Sequence, residues 1–185
     1  MNQPTGRLVA RALWAIALAF AVASQAQSPA AASAPAPVPK ATPLDRFKAL
    51  SGDWVDADGA LGMKGKVAAS YRVTGAGSAV VERLFVDMPH EMTTVYHLDG
   101  ADLVLTHYCA AGNQPRMRAR KTDGTLMFFE FDGGTNFDPA RDMHMHEAKI
   151  EFVGPDEIRH SWQSWKDGKP AGHAPGFRLV RKAPG

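Results

Sequence analysis

The stretch MTTVYHLDGADLVLTHYC, residues 92–109, decides the fold class because it contains two alternating segments joined by a tight turn. Apolar and polar residues alternate on both sides of LDGAD, and a period of two is typical of β-strands that bury one face. Asp-Gly is a favoured turn of β-hairpins. The stretch therefore predicts an antiparallel hairpin with one buried face.

The same pattern continues along the chain from residue 52 onward. We count ten alternating segments separated by turn signals, with one short helix at PLDRFKALSG before the first. The predicted strands are 52–57, 65–74, 78–86, 90–98, 102–109, 115–121, 125–132, 144–153, 157–166 and 175–182. An open sheet of this size leaves two unpaired edges, whereas closure removes them. The sequence thus predicts an all-β fold, a single up-and-down antiparallel β-barrel of about ten strands.

The connections between these segments alternate in length. The second, fourth, sixth and eighth segments are followed by the short turns GAG, LDGAD, TDG and GPD, and the others by longer loops such as ADGALGMK and GGTNFDPARD. In an up-and-down meander, successive connections lie at opposite ends of the barrel. We therefore expect one end closed by tight turns and the other surrounded by long loops. A barrel with more than about eight strands has room for a small ligand.

The first 26 residues have the pattern of an export signal. Arg7 and Arg11 precede the apolar run 12–23, and small residues lie before the expected cleavage after Ala26. The run is shorter than the roughly 20 residues that span a bilayer. We interpret residues 1–26 as a cleaved signal peptide, which predicts a periplasmic or secreted protein without a membrane span after cleavage.

The remainder has the composition of a neutral linker and domain. Residues 27–42 are rich in Pro and Ala, which predicts a disordered linker, and 43–185 form the predicted barrel domain. Loss of the signal lowers the formal charge from +2 to zero, which gives no basis for nucleic-acid binding. Cys109 is the only cysteine, so no internal disulfide is possible.

Side-chain alternation places several chemically active residues on the inner face. In KIEFV, Ile150 and Phe152 mark that face, and steps of two assign His144 and His146 to it. The same counting turns a further set inward: Met92, Tyr96, His107, Cys109, Met117, His160 and Trp162. By strand parity, we expect Met92, His107, Cys109, Met117, His144, His146 and Trp162 to converge on one open mouth at the loop-bearing end.

Four segments resemble an uncharacterised family of exported bacterial proteins with a lipocalin-like, calycin-type barrel. They are LSGDWV, TVYHLDGADLVLTHYCAAGNQPRM, MHMHEAKIEFV and SWQSWKDGK, and the resemblance covers about residues 44–183. The GDW segment is similar to a lipocalin Gly-x-Trp start, which implies that Trp54 fills the closed end. Arg181 shares a face with Phe177 and Leu179 and is expected to cover its indole. The resemblance implies a barrel and export, and no particular reaction.

Several candidate residues also have a purely structural interpretation. His144 and His146 either contact a ligand or form a polar rim bonded to loop carbonyls. Cys109 is either a reactive or ligating thiol or a small buried side chain. Asn113 and Gln114 serve either turn chemistry or ligand recognition.

The leading functional hypothesis is an exported module that binds a small, partly apolar molecule inside the barrel. Its candidate ligand-binding residues are Tyr96, His107, Cys109, Met117, His144, His146, His160 and Trp162.

Three alternatives remain open from the sequence. The first is a metal or haem site with His107, Cys109, His144 and His146 as candidate ligands, a set suited to zinc, or to cuprous copper together with methionine sulfur. The second is a small hydrolase or isomerase with a histidine base. The third is a filled barrel that serves as an interaction or structural module.

Overall fold

The computed structural model describes residues 41–122, 124–172 and 176–183. The predicted signal peptide and all but the last two residues of the predicted linker lie outside this part of the chain.

The first described element is the short helix α1, Pro43–Lys48. Thr42 precedes it, and the Asp45 carboxylate accepts hydrogen bonds from the Thr42 backbone N–H at 2.6 Å and from its hydroxyl at 2.8 Å. Proline suits the first helical position because its missing N–H would have no partner there. Among the described residues no helix is long and apolar enough to cross a membrane.

Eleven strands follow α1 in the described chain. They are β1 (Gly52–Asp56), β2 (Val67–Thr74), β3 (Ala79–Leu84), β4 (Met92–Asp99), β5 (Asp102–Tyr108), β6 (Gln114–Thr122), β7 (Leu126–Thr135), β8 (His144–Gly154), β9 (Glu157–Lys166), β10 (Lys169–Pro170) and β11 (Phe177–Arg181).

Ten of these strands close into one antiparallel barrel. Strands β1 to β9 pair in chain order, and β11 joins β9 to β1. The remaining strand, β10, folds back on the end of β9 and lies outside the ring. The predicted fold class is therefore confirmed. Strand β10 was not predicted, because two residues are too few to show alternation.

The end of the barrel that carries the short turns is sealed by α1 and aromatic side chains. Phe47 is fully buried and stacks on Tyr96 with 4.1 Å between ring centroids. The Trp54 indole N–H donates to the Leu50 carbonyl at 2.8 Å, and the Arg181 guanidinium lies 4.5 Å from the centre of the indole ring. Phe47, Trp54 and Tyr96, each fully buried, thus fill the interior of the barrel at this end.

The basic stretch RMRARK lies in β6 and forms ion pairs on the outer surface. Arg118 contacts Asp99 at 2.7 Å, Asp102 at 3.0 Å and Asp132 at 3.1 Å. Arg116 also contacts Asp99, at 3.1 Å. The two arginines are therefore charge-compensated by carboxylates of the same barrel.

Candidate functional site

A pocket of about 290 Å³ lies at the loop-bearing end of the barrel. Its described lining comes from the β1–β2 loop, the ends of β3 and β5, and the parts of β4, β8 and β9 at that end. The lining residues are Ala60, Leu61, Leu84, Phe85, Met92, His107, Met145 and Trp162. Apolar side chains form most of this wall, and His107 is the titratable residue among them.

His107 is buried, with 2% of its surface exposed. Its Nδ1 is hydrogen-bonded to the Thr94 hydroxyl across the β4–β5 pair at 2.9 Å. Its Nε2 is buried and has no hydrogen-bond partner among the described residues. Burial lowers the pKa of His107 to about 4, so the ring is neutral at neutral pH.

Trp162 lies against His107 in the same wall. The two ring centroids are 4.7 Å apart and the planes are tilted by 39°. The indole N–H of Trp162 is also buried without a hydrogen-bond partner in the described part of the chain. Since nearly all buried polar groups in proteins are hydrogen-bonded, two unpaired ring nitrogens in one pocket wall are unusual.

Asp56 shapes the loop that supplies one wall of the pocket. It is fully buried, and its carboxylate accepts backbone hydrogen bonds from Gly59 at 2.8 Å, Leu61 at 3.2 Å and Met63 at 2.9 Å. A carboxylate that accepts several backbone donors is a strong local constraint. Asp56 therefore holds Leu61 in place beside the pocket.

Phe85 forms another part of the wall in a left-handed backbone conformation, with φ of 59°. A bulky residue rarely adopts positive φ without support from its surroundings. Its N–H donates to the Ala68 carbonyl at 2.8 Å. The loop that follows is braced by Glu91, which accepts from the Arg83 guanidinium at 2.7 Å and from the Asp87 N–H at 2.8 Å.

A second polar group, the Glu82 network, lies inside the barrel and is fully buried. Glu82 accepts hydrogen bonds from the Tyr71 hydroxyl at 2.9 Å and from the Tyr96 hydroxyl at 2.6 Å. His160 Nε2 lies 3.1 Å from the Tyr71 oxygen. Because the single Tyr71 proton is given to Glu82, His160 Nε2 must donate to Tyr71.

This arrangement sets the protonation of the Glu82 network. His160 Nδ1 is then an acceptor, 3.8 Å from a Glu82 oxygen and without a hydrogen-bond partner of its own. Burial lowers the pKa of His160, although the Glu82 charge opposes that shift. Burial and the same charge raise the pKa values of Tyr71 and Tyr96 well above their usual range. Tyr96 and His160 thus lie in a buried network, and neither is among the lining residues of the pocket.

His144 and His146 lie in an aromatic cluster near the start of β8. His146 stacks on Trp165 at 3.8 Å and on Phe131 at 4.7 Å between centroids, while His144 packs on Phe137 at 4.6 Å. His144 Nδ1 donates to the Asp142 carbonyl at 2.9 Å, so its Nε2 must accept from His146 Nδ1, also at 2.9 Å. Burial lowers the pKa of His146 to about 4, and repulsion from His144 when that ring is protonated acts in the same direction.

A β-bulge explains why these histidines do not line the pocket. The β8–β9 register shifts between Met145 and Glu147, so Met145 lies opposite Ser164 and His144 opposite Trp165. A bulge adds one residue to one strand and changes the alternation beyond it. Met145 therefore reaches the pocket, in place of the histidine pair expected from simple alternation.

Two further predicted site residues are placed away from the pocket. Strand β5 ends at Tyr108, so Cys109 lies in the following loop, where its partly exposed sulfur accepts from the Ala111 N–H at 3.5 Å. Met117 is fully buried in the core between Leu105 and Phe131 of the neighbouring strands. The expected convergence on one mouth thus applies to His107, Trp162 and Met92, which share the pocket wall.

The two residues interpreted as either turn or ligand-recognition residues, Asn113 and Gln114, make structural contacts. The Asn113 side-chain amide donates to the Met143 carbonyl at 2.7 Å, and the Gln114 side-chain oxygen accepts from Thr135 at 2.9 Å and from Asn136 at 2.6 Å. Within the described ranges, no group of three or more His, Cys, Asp or Glu side chains has the arrangement of a metal site.

Sequence reasoning did not select Glu82, Asp56 or Phe85. A usable signal existed for Glu82, because it alternates with Val80 and Leu84 in AVVERL and so occupies an inward position. A charged residue at an inward position predicts a compensating polar partner. The left-handed backbone of Phe85 has no comparable signal in the sequence.

The chain matches no protein-family model and no curated protein sequence.

Proposed function

We propose that this chain is an exported small-molecule-binding β-barrel whose ligand occupies the pocket beside His107. The observation that carries the proposal is a pocket of about 290 Å³ with a largely apolar wall, in which two residues have buried ring nitrogens without a partner among the described residues. Ligand sites combine apolar walls with a few polar groups, and this volume suits a small ligand. The supported wall residues Leu61 and Phe85 favour a preformed site.

The exported location and the lipocalin-like relationship belong to the same proposal. Residues 1–26 have the charge and length pattern of a signal peptide. The closed barrel with Trp54 buried near its sealed end is compatible with the lipocalin-like resemblance. N-terminal sequencing of protein recovered from the exporting host tests the location, since an intact Met1 would contradict it.

Binding can be tested by titration with the apolar fluorescent dye N-phenylnaphthylamine. We expect a saturable rise in emission as the dye enters the pocket. Ala60→Trp places a large ring in the pocket wall and should weaken binding, whereas Ala110→Trp, at an exposed loop position outside the lining, should leave it unchanged. Equal binding by both variants, or no saturable signal from the unmodified chain, would contradict the proposal.

A further inference from the structure

We infer that the ligand of this pocket is an uncharged molecule whose hydrogen-bond acceptor, of the carbonyl type, pairs with the N–H of His107. The inference rests on the proposed function and adds the chemical class of the ligand. It depends on which nitrogen of His107 carries the proton and on the charges present in the wall.

The Thr94 contact decides the tautomer of His107. Thr94 is buried, and His107 Nδ1 is the hydrogen-bond partner of its hydroxyl. If Thr94 donates to Nδ1, the proton of His107 is on Nε2, and that N–H is the one unpaired group. If Nδ1–H donates to the Thr94 oxygen instead, the Thr94 hydroxyl proton has no acceptor and His107 Nε2 has no donor among the described residues. Since unpaired buried donors and acceptors both cost free energy, the first arrangement is favoured.

Two residues of the pocket wall therefore carry donors without a partner among the described residues, His107 Nε2–H and the indole N–H of Trp162. An indole nitrogen can only donate. The two rings lie against each other, with 4.7 Å between their centroids. Both nitrogens are buried, and the acceptor must enter the wall alongside the rings. A ligand that carries such an acceptor relieves an unpaired donor, and a pure hydrocarbon does not.

The same wall disfavours a charged ligand. The other described lining residues are apolar: Ala60, Leu61, Leu84, Phe85, Met92 and Met145. Burial keeps the His107 ring neutral, so the wall offers a carboxylate no positive charge. Desolvation of an anion without a charged partner is much less favourable than desolvation of a ketone, ester or amide. The geometry thus favours a neutral acceptor over an acidic one.

Three naphthalene compounds of similar shape separate these contributions. Isopropenylnaphthalene is the hydrocarbon, methyl naphthyl ketone carries the neutral acceptor, and naphthoate carries the charge. Equilibrium dialysis near neutral pH, with ligand measured by absorbance, gives a Kd for each compound with the full chain. We expect the ketone to bind about tenfold more tightly than the hydrocarbon, the gain of one hydrogen bond to an otherwise unpaired donor, and naphthoate to bind more weakly than the ketone.

Substitutions in the pocket wall show which side chain causes the preference for the ketone. His107→Phe retains an aromatic ring and removes the N–H, so the ratio of the hydrocarbon Kd to the ketone Kd should fall from about ten to about one. Thr94→Val removes the contact that holds the tautomer and should reduce the advantage in part. Circular dichroism checks that each variant folds, and Trp162→Phe, which removes the other donor, separates a contribution of Trp162 from that of His107.

The outcomes distinguish this inference from the proposed function. If the hydrocarbon binds and the ketone binds no more tightly, the inference is wrong and the proposed function stands. A preference for naphthoate also overturns it, as does a ketone advantage that persists in folded His107→Phe or, if that variant does not fold, persists undiminished in Thr94→Val. If none of the three compounds binds, the proposed function fails and the inference fails with it.

Discussion

The barrel contains two buried histidines, His107 and His160, that have the same chemistry and different surroundings. Their exposed fractions are 2% and 1%, and burial lowers the pKa of each. His160 donates its N–H to Tyr71 within the Glu82 network. His107 is bonded to Thr94 through Nδ1, and its ring lines a pocket. Each ring has one nitrogen without a partner among the described residues, Nε2 in His107 and Nδ1 in His160.

The difference teaches that burial by itself does not separate a structural histidine from a candidate binding residue. Where another side chain accepts the hydrogen bonds of buried donors, as Glu82 does, the hydrogen-bonded group mainly specifies and stabilises the interior. Where a buried donor faces no protein acceptor beside a cavity, an external partner can supply the missing bond. The comparison predicts large stability effects in the Glu82 network and small ones at His107.

The largest effect is expected for Glu82→Leu. It removes the acceptor of two buried tyrosine hydroxyls and should lower the free energy of unfolding by about 3–5 kcal/mol. Denaturant unfolding measures the change, with Glu130→Gln on the exposed surface as the control. An unchanged or increased stability would mean that the network contributes specificity without net stabilisation.

The next largest effect concerns pH. The pKa of His107 is lowered from 6.5 to about 4, so between these values the unfolded chain binds the additional proton and stability falls as the pH falls. The contribution amounts to about 3 kcal/mol across that window. His107→Gln should show a correspondingly smaller acid-induced loss than the unmodified chain, measured by denaturant unfolding at a series of pH values. His146 titrates in the same window and is common to both proteins. Identical pH profiles would contradict the assignment of a neutral buried ring.

A smaller loss is expected when the Glu82 network loses one donor and keeps its acceptor. Tyr96→Phe removes the 2.6 Å hydrogen bond to Glu82 and retains the ring that stacks on Phe47. Hydrogen bonds to charged groups contribute about 1.5–3 kcal/mol, so the free energy of unfolding should fall by about 2 kcal/mol. Thermal and denaturant unfolding both measure this change. A loss of stability as large as that of Glu82→Leu would show that the contributions of the two tyrosine hydrogen bonds cannot be separated.

The smallest effect is expected for the double variant His107→Leu and Thr94→Val. Removal of both partners of a buried hydrogen bond leaves no polar group unpaired, so the free energy of unfolding near neutral pH should change by less than about 1 kcal/mol. The binding preference for a ketone should disappear in the same protein. A loss of several kcal/mol would place His107 with the structural residues of the Glu82 network.

Much of the fold could be predicted from local sequence. Alternation in segments such as residues 102–109, together with Asp-Gly turns, predicted ten strands whose observed bounds differ from the predicted ones by no more than three residues. Alternation has a period of two because one face of each strand is buried. It can therefore be recognised in a single segment without knowledge of the partner strands.

The candidate site was less predictable, and β8 shows why. Alternation from Ile150 and Phe152 assigns His144 and His146 to the inner face, but a bulge next to Met145 changes the count. A bulge arises from the fit of one strand to its neighbour, and an isolated strand carries no clear sign of it. Alternation also assigned Cys109 to the inner face. It follows Tyr108, the last residue of β5, so the alternation of the strand no longer determines where its side chain points.

The sequence by itself determined the antiparallel barrel, its short helix and the inward positions of His107 and Trp162, because these follow from side-chain periodicity. Tertiary structure alone decided which inward polar groups find partners. Glu82 accepts from Tyr71 and Tyr96 of neighbouring strands, whereas His107 Nε2 has no hydrogen-bond partner in the part of the chain that the structure describes. The physical reason is that hydrogen bonds depend on distances of about 3 Å between side chains far apart in the chain, and only closure of the barrel sets those distances.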